Sequence, residues 1–376
     1  MVTAPSLTSD LQHHLAQVIT GHGGWIGFDR FMALALYTPG LGYYLRGDSQ
    51  IGNLPATAGG PASDFATAPG ISPLFGRALA VQVGEALRRT GTDAVWEFGA
   101  GTGAMAAQLL DALGEQVRRY TIVDLSGSLQ QRQRASLARF AGKVEWATQL
   151  PEAMRGVVVG NEVLDAMPVR LLARTAGRWQ ERGVVLGPHG QWAWQDRASE
   201  LSPPIPIDGE HAYLTEIHPQ AEAFMGTLVD RLVHGAVLLI DYGFGEREYY
   251  HPQRSMGTVM CHQRHRADTD PLVDVGAKDI TAHVNFTGIA LAAQQAAGQS
   301  GAADDWHLLG YTSQARFLLN CGLGQMLDAA SLAERSMANK LLMEHEMGEL
   351  FKVIGFCRGT PWDAIGFAQG DRSHRL

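Results

Sequence analysis

The chain is poor in cysteine: Cys261, Cys321 and Cys357 are the only three in 376 residues, odd in number and far apart. No C-x-x-C spacing occurs, so neither a disulfide framework nor a zinc site of ordinary pattern is indicated, and free thiols in a reducing compartment are expected. The run Cys261-His262-Gln263-Arg264-His265 looks ligand-like but fits no standard zinc spacing, so no metal is expected. Basic residues are also in short supply. Lys and Arg number 30 against 38 Asp and Glu, a net charge of −8, which argues against a general nucleic-acid binder. No arginine precedes Arg30 and no basic-then-apolar run opens the chain, so no targeting segment is expected. No apolar stretch reaches the length that crosses a bilayer. A cytoplasmic protein without membrane insertion is the expectation. What remains is ordinary globular material, 45% apolar and 18% charged, enough for one large domain with insertions or for two domains.

The most informative stretch is Val95-Trp96-Glu97-Phe98-Gly99-Ala100-Gly101-Thr102-Gly103. It reads as a buried strand, a glycine-rich turn and the start of an amphipathic helix from Thr102 to about Leu113. Glycines at 99, 101 and 103 remove side-chain bulk, so a ligand can lie against bare backbone and the first N–H groups of the helix. Those glycines alone would also serve a dinucleotide. Glu97, at the carboxyl end of the strand, would repel a pyrophosphate but suits a ligand carrying an ammonium group, which favours S-adenosylmethionine (SAM). A second strand, Tyr120-Thr121-Ile122-Val123, ends in Asp124 with Leu125 beside it, 21 positions beyond Gly103. An acid there bonds the ribose hydroxyls of a nucleoside cofactor in doubly wound folds. Gln149-Leu150, after a third strand at 143–146, are placed where an adenine edge would rest.

The rest of the chain follows this α/β rhythm with interruptions. Helices are expected at 9–19, at 28–37, and from Pro73 to about Arg89, capped by Ser72 and stopped at Gly91. Upstream of that helix, Asp64, Thr67 and Pro69 sit in a short polar loop, readable as turn chemistry or as ligand contacts. Gly156 to Glu162 reads as a fourth strand and Ala236 to Gly243 as a fifth. Strand–helix alternation of this kind predicts a parallel sheet covered by helices. Between those strands, 169–196 alternates apolar and polar residues around glycines and reads as antiparallel hairpins, with a helix expected from Tyr213 to Val233. Residues 244–280 read as an irregular loop, followed by a helix over 279–297. A sixth strand over 306–311, a helix from Ser313, a long helix over 325–347 and a last strand over 351–356 complete the reading. The expected organisation is an N-terminal helical region with a cofactor-lid loop (1–90), a Rossmann-like α/β domain (91–360) interrupted at about 169–212 and 244–305, and a C-terminal tail (361–376).

Asn161-Glu162 with Asp165, at the end of the fourth strand, stand where a substrate faces the cofactor in an open α/β sheet. Two carboxylates there can hold a guanidinium, whose forked donors match them; a helix cap and a solvated acid would leave the same trace. Asp241-Tyr242-Gly243, at the tip of the fifth strand, is a third candidate on the same edge.

The dispersed motifs Gly42-Tyr43-Tyr44, Asp64-Phe65 with Thr67-Ala68-Pro69, Ile71-Ser72 with Leu74-Phe75-Gly76, and Glu97 to Gly101 resemble the MidA-like methyltransferase family. Asn161-Glu162 with Asp165-Ala166 and Pro168, Asp241 to Gly243, Asp279 to Val284, and Phe351-Lys352-Val353 extend the resemblance over 25–357. Mitochondrial members of that family are complex I assembly factors that dimethylate an arginine. The resemblance implies a class I SAM-dependent methyltransferase (Rossmann-like) fold, a seven-stranded sheet with an antiparallel last strand, and SAM as methyl donor. It also implies a protein substrate, by analogy a respiratory-complex subunit, and places Asp64 and Thr67 in the cofactor pocket. Ser63, Gly70, Ala100 and Asp124 depart from the family pattern. Gly70 removes a carboxylate and bears on substrate identity, which keeps open a SAM-binding assembly factor with little catalysis.

Overall fold

The computed structural model describes residues 7–46, 67–264 and 266–376. The chain divides into two compact units: unit 1, Met1–Ser49, Leu164–Glu222 and Phe244–Asn285, and unit 2, Gln50–Val163, Ala223–Gly243 and Phe286–Leu376.

Unit 2 is built around a twisted sheet. Its strands are β1 (Ala94–Phe98), β2 (Arg119–Val123), β3 (Val144–Ala147), β4 (Met154–Asn161), β5 (Leu232–Phe244), β6 (Trp306–Ser313) and β7 (Phe351–Arg358). Along one path their order is β6-β7-β5-β4-β1-β2-β3. The pairs β5–β4, β4–β1, β1–β2 and β2–β3 are parallel, while β7 is antiparallel to both β5 and β6. Strand order reverses at β1 and β4, where open α/β sheets place their ligands.

The central strands carry what a parallel sheet buried on both faces needs, continuous apolar runs. Val95, Val157 and Val158 are fully buried, as are Ala236 and Val237. Helices α1 (Pro73–Thr90), α2 (Ala104–Leu113) and α3 (Gly127–Ser136) accompany the first half of the sheet. The α1 boundaries follow local chemistry: the Ser72 side chain accepts from Leu74 N, Pro73 opens the first turn, and Gly91 closes it in the left-handed region at φ 59°.

Unit 1 holds antiparallel sheets. Trp25–Gly27, Arg178–Leu186, Arg170–Thr175 and Tyr213–Ile217 pair in that order, with Trp192–Ala198 alongside Arg178–Leu186. The hairpins expected over 169–196 are therefore present. Helices Leu7–Gly21 and Phe28–Tyr37 belong to the same unit.

Several element expectations are corrected. Tyr213–Ile217 is a strand, and the helix begins only at Pro219, because proline fits a first turn and not a helix interior. The segment 244–280 is structured: it contains a short helix, Glu246–Tyr249, and a three-stranded sheet of Arg266–Asp268, Met260–Gln263 and Asp279–Thr281. The helix expected from Asp279 starts at Phe286. The long helix expected over 325–347 is broken at Ala330–Ser331, where Ser331 and Glu334 form a reciprocal capping box.

Candidate functional site

The glycine turn follows β1 directly. Gly99, Gly101 and Gly103 have φ values of 64°, 52° and 82°. A Cβ on Gly103 would stand 3.0 Å from Ser136 Oγ and 3.3 Å from Leu137, so the turn lies tight against the end of α3. Helix α2 starts at Ala104, two residues later than expected, and no side chain caps it. Its first N–H groups are thereby left to water or to a ligand.

A cleft within unit 2 is lined by Thr67, Pro69, Glu97, Gly99, Ala100, Gly101, Thr102, Ala104, Met105 and Asn161. Eight of these were singled out in the sequence. Thr67 precedes the short helix Ala68–Ile71 as its N-cap but makes no side-chain cap bond. The loop is pinned from behind by Gln108, whose Nε2 donates to Pro69 O at 2.8 Å while its Oε1 accepts from Gly76 N at 3.0 Å.

Glu97 is 1% exposed and its carboxylate accepts a 2.6 Å hydrogen bond from Tyr120 Oη. Burial pushes its pKa up to about 8, against the opposing Tyr120 bond, with the Asp124 charge adding to the rise. An acid held this close to neutrality is released to ionise when a cation arrives, so the cleft fits a ligand carrying an ammonium or sulfonium. Asn161, 7% exposed, donates Nδ2 to Glu162 Oε1 at 2.8 Å, and its own Oδ1 is buried with no hydrogen-bond partner among the described residues. An orphaned buried acceptor costs free energy unless a donor reaches it. Here one can, since Asn161 lines the cleft. Glu162 sits at φ 55°, a left-handed conformation unfavourable for a residue with a Cβ.

Asp124 and its neighbours lie outside the residues that line this cleft. The Asp124 carboxylate accepts from Ser126 N and from Gln133 Nε2, each at 2.8 Å, and burial raises its pKa against those bonds. Leu125 is 65% exposed. Gln149 is exposed and Leu150 half-buried. Gly103 packs against α3 and does not line the cleft. Asp64 falls outside the described residues. Asp241, 1% exposed, holds the backbone: Oδ2 accepts from Val163 N at 3.1 Å and Oδ1 from Tyr242 N at 3.0 Å. That carboxylate ties the tips of β4 and β5.

Asp165 belongs to unit 1 and is 5% exposed. It neighbours a pair of stacked rings, Tyr37 and Tyr44, with centroids 5.5 Å apart. Tyr44 Oη donates to Asp279 at 2.7 Å, and Tyr37 Oη donates to Ala166 O at 2.8 Å. Burial, followed by the charges of Asp279 and Asp165, drives both phenol pKa values up. Unit 1 also holds a denser network around Glu216, which is fully buried and accepts from Thr258 N at 2.7 Å, Tyr249 Oη at 2.8 Å, Thr258 Oγ1 at 3.1 Å and Val259 N at 3.2 Å. Beside it, His218 has Nε2 2.9 Å from His283 O, and burial lowers its pKa to about 4.

Three residues that brace the cleft and Asp124 went unnoticed as such in the sequence: Gln108, Tyr120 and Gln133. Tyr120 had a signal. It lies two residues before Ile122, the cross-strand partner of Glu97, and hence on the same sheet face. Gln133, one of several polar residues in a polar helix, had none.

The strand order, the glycine turn and a cleft with a buried acid define a class I SAM-dependent methyltransferase. The model of the S-adenosyl-L-methionine-dependent methyltransferase family matches residues 78–303, and the chain belongs to that family. A COG1565 superfamily member from Burkholderia thailandensis, with S-adenosyl-homocysteine bound in its crystal structure, is 46% identical over 100% of both chains, with a TM-score of 0.91. A native structure of a protein from the same superfamily and organism is 45% identical over 100% of both chains, with a TM-score of 0.88. Curated relatives are more distant. The Danio rerio protein named "Protein arginine methyltransferase NDUFAF7, mitochondrial" is 25% identical over 383 residues, 92% of this chain and 84% of its own. Its Caenorhabditis elegans homologue is 25% identical over 319 residues, 75% of this chain and 71% of its own. The cytoplasmic expectation is corrected by these relatives, which are named as mitochondrial. The address of a protein is read from signals that the folded domain does not carry, so composition does not report it. No described helix is long and apolar enough to cross a membrane.

Proposed function

We propose that this methyltransferase acts on an arginine side chain of a protein, with Glu97, the Gly99–Gly103 turn, Thr67, Pro69 and Asn161 on the SAM side and Asp124 at the ribose. Asp64, Leu125, Gln149 and Leu150 complete the proposed cofactor set. SAM supplies an electrophilic methyl group on a sulfonium. The chain's own residues then have three tasks: to hold that cation, to exclude water and to aim the nucleophile. The observation that carries the reading is the Asn161–Glu162 pair at the end of β4. There a strained glutamate is held by a buried amide whose own oxygen has no donor among the described residues.

Glu162 offers a carboxylate that matches the fork of a guanidinium. Orienting one guanidinium nitrogen along the S–CH3 axis is chiefly a positional gain. As the N–CH3 bond forms and the S–CH3 bond breaks, the nitrogen loses a proton to Glu162. Asp241 serves by keeping the two strand tips together. The names of the curated relatives support arginine as acceptor and a protein as substrate, and by those names a mitochondrial respiratory-complex subunit is the first protein to test. The test is transfer of labelled methyl from SAM into a lysate lacking this chain, followed by mass spectrometry for methyl-arginine. Label found only on small metabolites overturns the protein reading. Label on lysine overturns the arginine reading.

A further inference from the structure

Helix α3 contributes more than cover for the sheet. Gln133 is fully buried, and every hydrogen-bonding group of its amide is used. Trp146 Nε1 donates to Gln133 Oε1 at 2.9 Å. Gln133 Nε2 donates to Asp124 Oδ2 at 2.8 Å and to Gly101 O at 3.0 Å. The amide orientation follows from chemistry, since an indole N–H can only donate, whereas a carboxylate and a carbonyl only accept. One turn end further on, Ser136 Oγ donates to Thr102 O at 2.9 Å. Two neighbouring carbonyls of the glycine turn are therefore bound by α3, and the same amide that holds Gly101 also fixes the acid at the end of β2.

The geometry points to Gln133 as a positioning residue for the cofactor: by bridging Asp124 and Gly101 it orients the carboxylate that reads the ribose hydroxyls and couples it to the turn that holds the rest of the ligand. Local backbone, Ser126 N and Leu125 N, also bonds the Asp124 carboxylate, and Gln133 Nε2 is its donor from a separate element. Without the Gln133 amide the carboxylate keeps only those turn contacts, and the alignment of both oxygens with a vicinal diol is loosened. A charged acceptor oriented by a neutral amide donor discriminates by geometry, and its selectivity disappears with that donor. This inference rests on the cofactor reading of the cleft and stands whichever side chain accepts the methyl group.

The test compares two nucleosides, adenosine and 2′,3′-dideoxyadenosine, by NMR-detected titration of the full chain. The wild-type protein is expected to prefer adenosine by about tenfold, the worth of one good hydrogen bond to a charged group. In Gln133→Met, which keeps the volume and removes the donors, that preference falls to about twofold or less while dideoxyadenosine binds as in wild type. Ser136→Ala, which releases Thr102 O and leaves Asp124 untouched, retains the preference. Should Gln133→Met fail to fold, Gln133→Asn is too short to span both acceptors and reads the same ratio. An unchanged ratio in the Gln133 variant overturns the inference, as does an equal loss for both nucleosides, which marks mere structural collapse. A wild type that prefers neither nucleoside overturns it as well, and is distinguishable from failure of the arginine reading because no methyl acceptor is present.

Discussion

Glu97 in unit 2 and Glu216 in unit 1 are both buried glutamates, and they differ in what surrounds them. Glu216 accepts four hydrogen bonds, two of them from backbone N–H groups, and lies inside a closed polar network. Its pKa is raised by burial, but those donors pull against the rise. Glu97 has one side-chain donor, Tyr120, and its pKa climbs to about 8, burial being the main cause. It also lines a cleft. Burial of an acid does not identify a functional site. A buried acid with one side-chain donor among the described residues, beside a cleft, is the better candidate.

The largest expected effect breaks unit 1. Glu216→Ala leaves Thr258 N, Val259 N and the Tyr249 hydroxyl without their acceptor, so stability should fall by about 3 kcal/mol or more in denaturant unfolding. If that variant instead keeps its stability and loses SAM, the division between structural and ligand-facing acid fails. Next in size, Glu97→Gln should weaken SAM binding about tenfold to a hundredfold by calorimetry with no loss of melting temperature, since a neutral amide still packs there but cannot meet a cation.

The same pair is separated by pH. With a folded pKa near 8 against 4.5 unfolded, Glu97 binds a proton in the folded chain that the unfolded chain has released. Its contribution is thus fully present below about pH 4.5 and is lost as pH rises through 8, with a limiting slope of about 1.4 kcal/mol per unit. Thermal scans from pH 5 to 8 should show this slope in wild type and a flatter one in Glu97→Gln. SAM affinity should move the other way, tightening as Glu97 ionises, and an affinity independent of pH would remove Glu97 from the cation's surroundings. The smallest effect calibrates the rest: Ser331→Ala removes the capping box of Leu332–Leu342, should cost about 1 kcal/mol, and should leave SAM binding unchanged.

Much of the architecture was legible because local chemistry repeats it. Ser72-Pro73 and Gly91 bound α1 closely, since cap, first-turn proline and left-handed glycine each act within a few residues. The helix Phe28–Tyr37 matched its expected limits. Reading failed where a partner strand decided the outcome. Tyr213–Ile217 could continue into a helix by composition, but pairing with Arg170–Thr175 makes it a strand. The segment around 260–281 looked irregular because each of its strands is four residues or fewer, too short to show a period. Among the residues that line the cleft, Glu97, Gly99, Ala100, Gly101 and Thr102 were readable from one strand–glycine turn, whereas Thr67, Pro69 and Asn161 were read from other segments. Asp241 was readable as an acid at a strand tip but not as a backbone clamp, because only the fold brings Val163 N within 3.1 Å of it.

The sequence by itself therefore determined the α/β class, the strand–turn–helix that lines the cleft, and the acid within it, all products of spacing and of the dihedral freedom of glycine. Tertiary structure decided the state of that acid. Tyr120 is 23 residues away in sequence and Gln133 lies 32 residues from Gly101, and only the sheet and α3 bring them into contact. Burial shifts the protonation of Glu97, and burial is a property of everything packed around a residue, which no local pattern records.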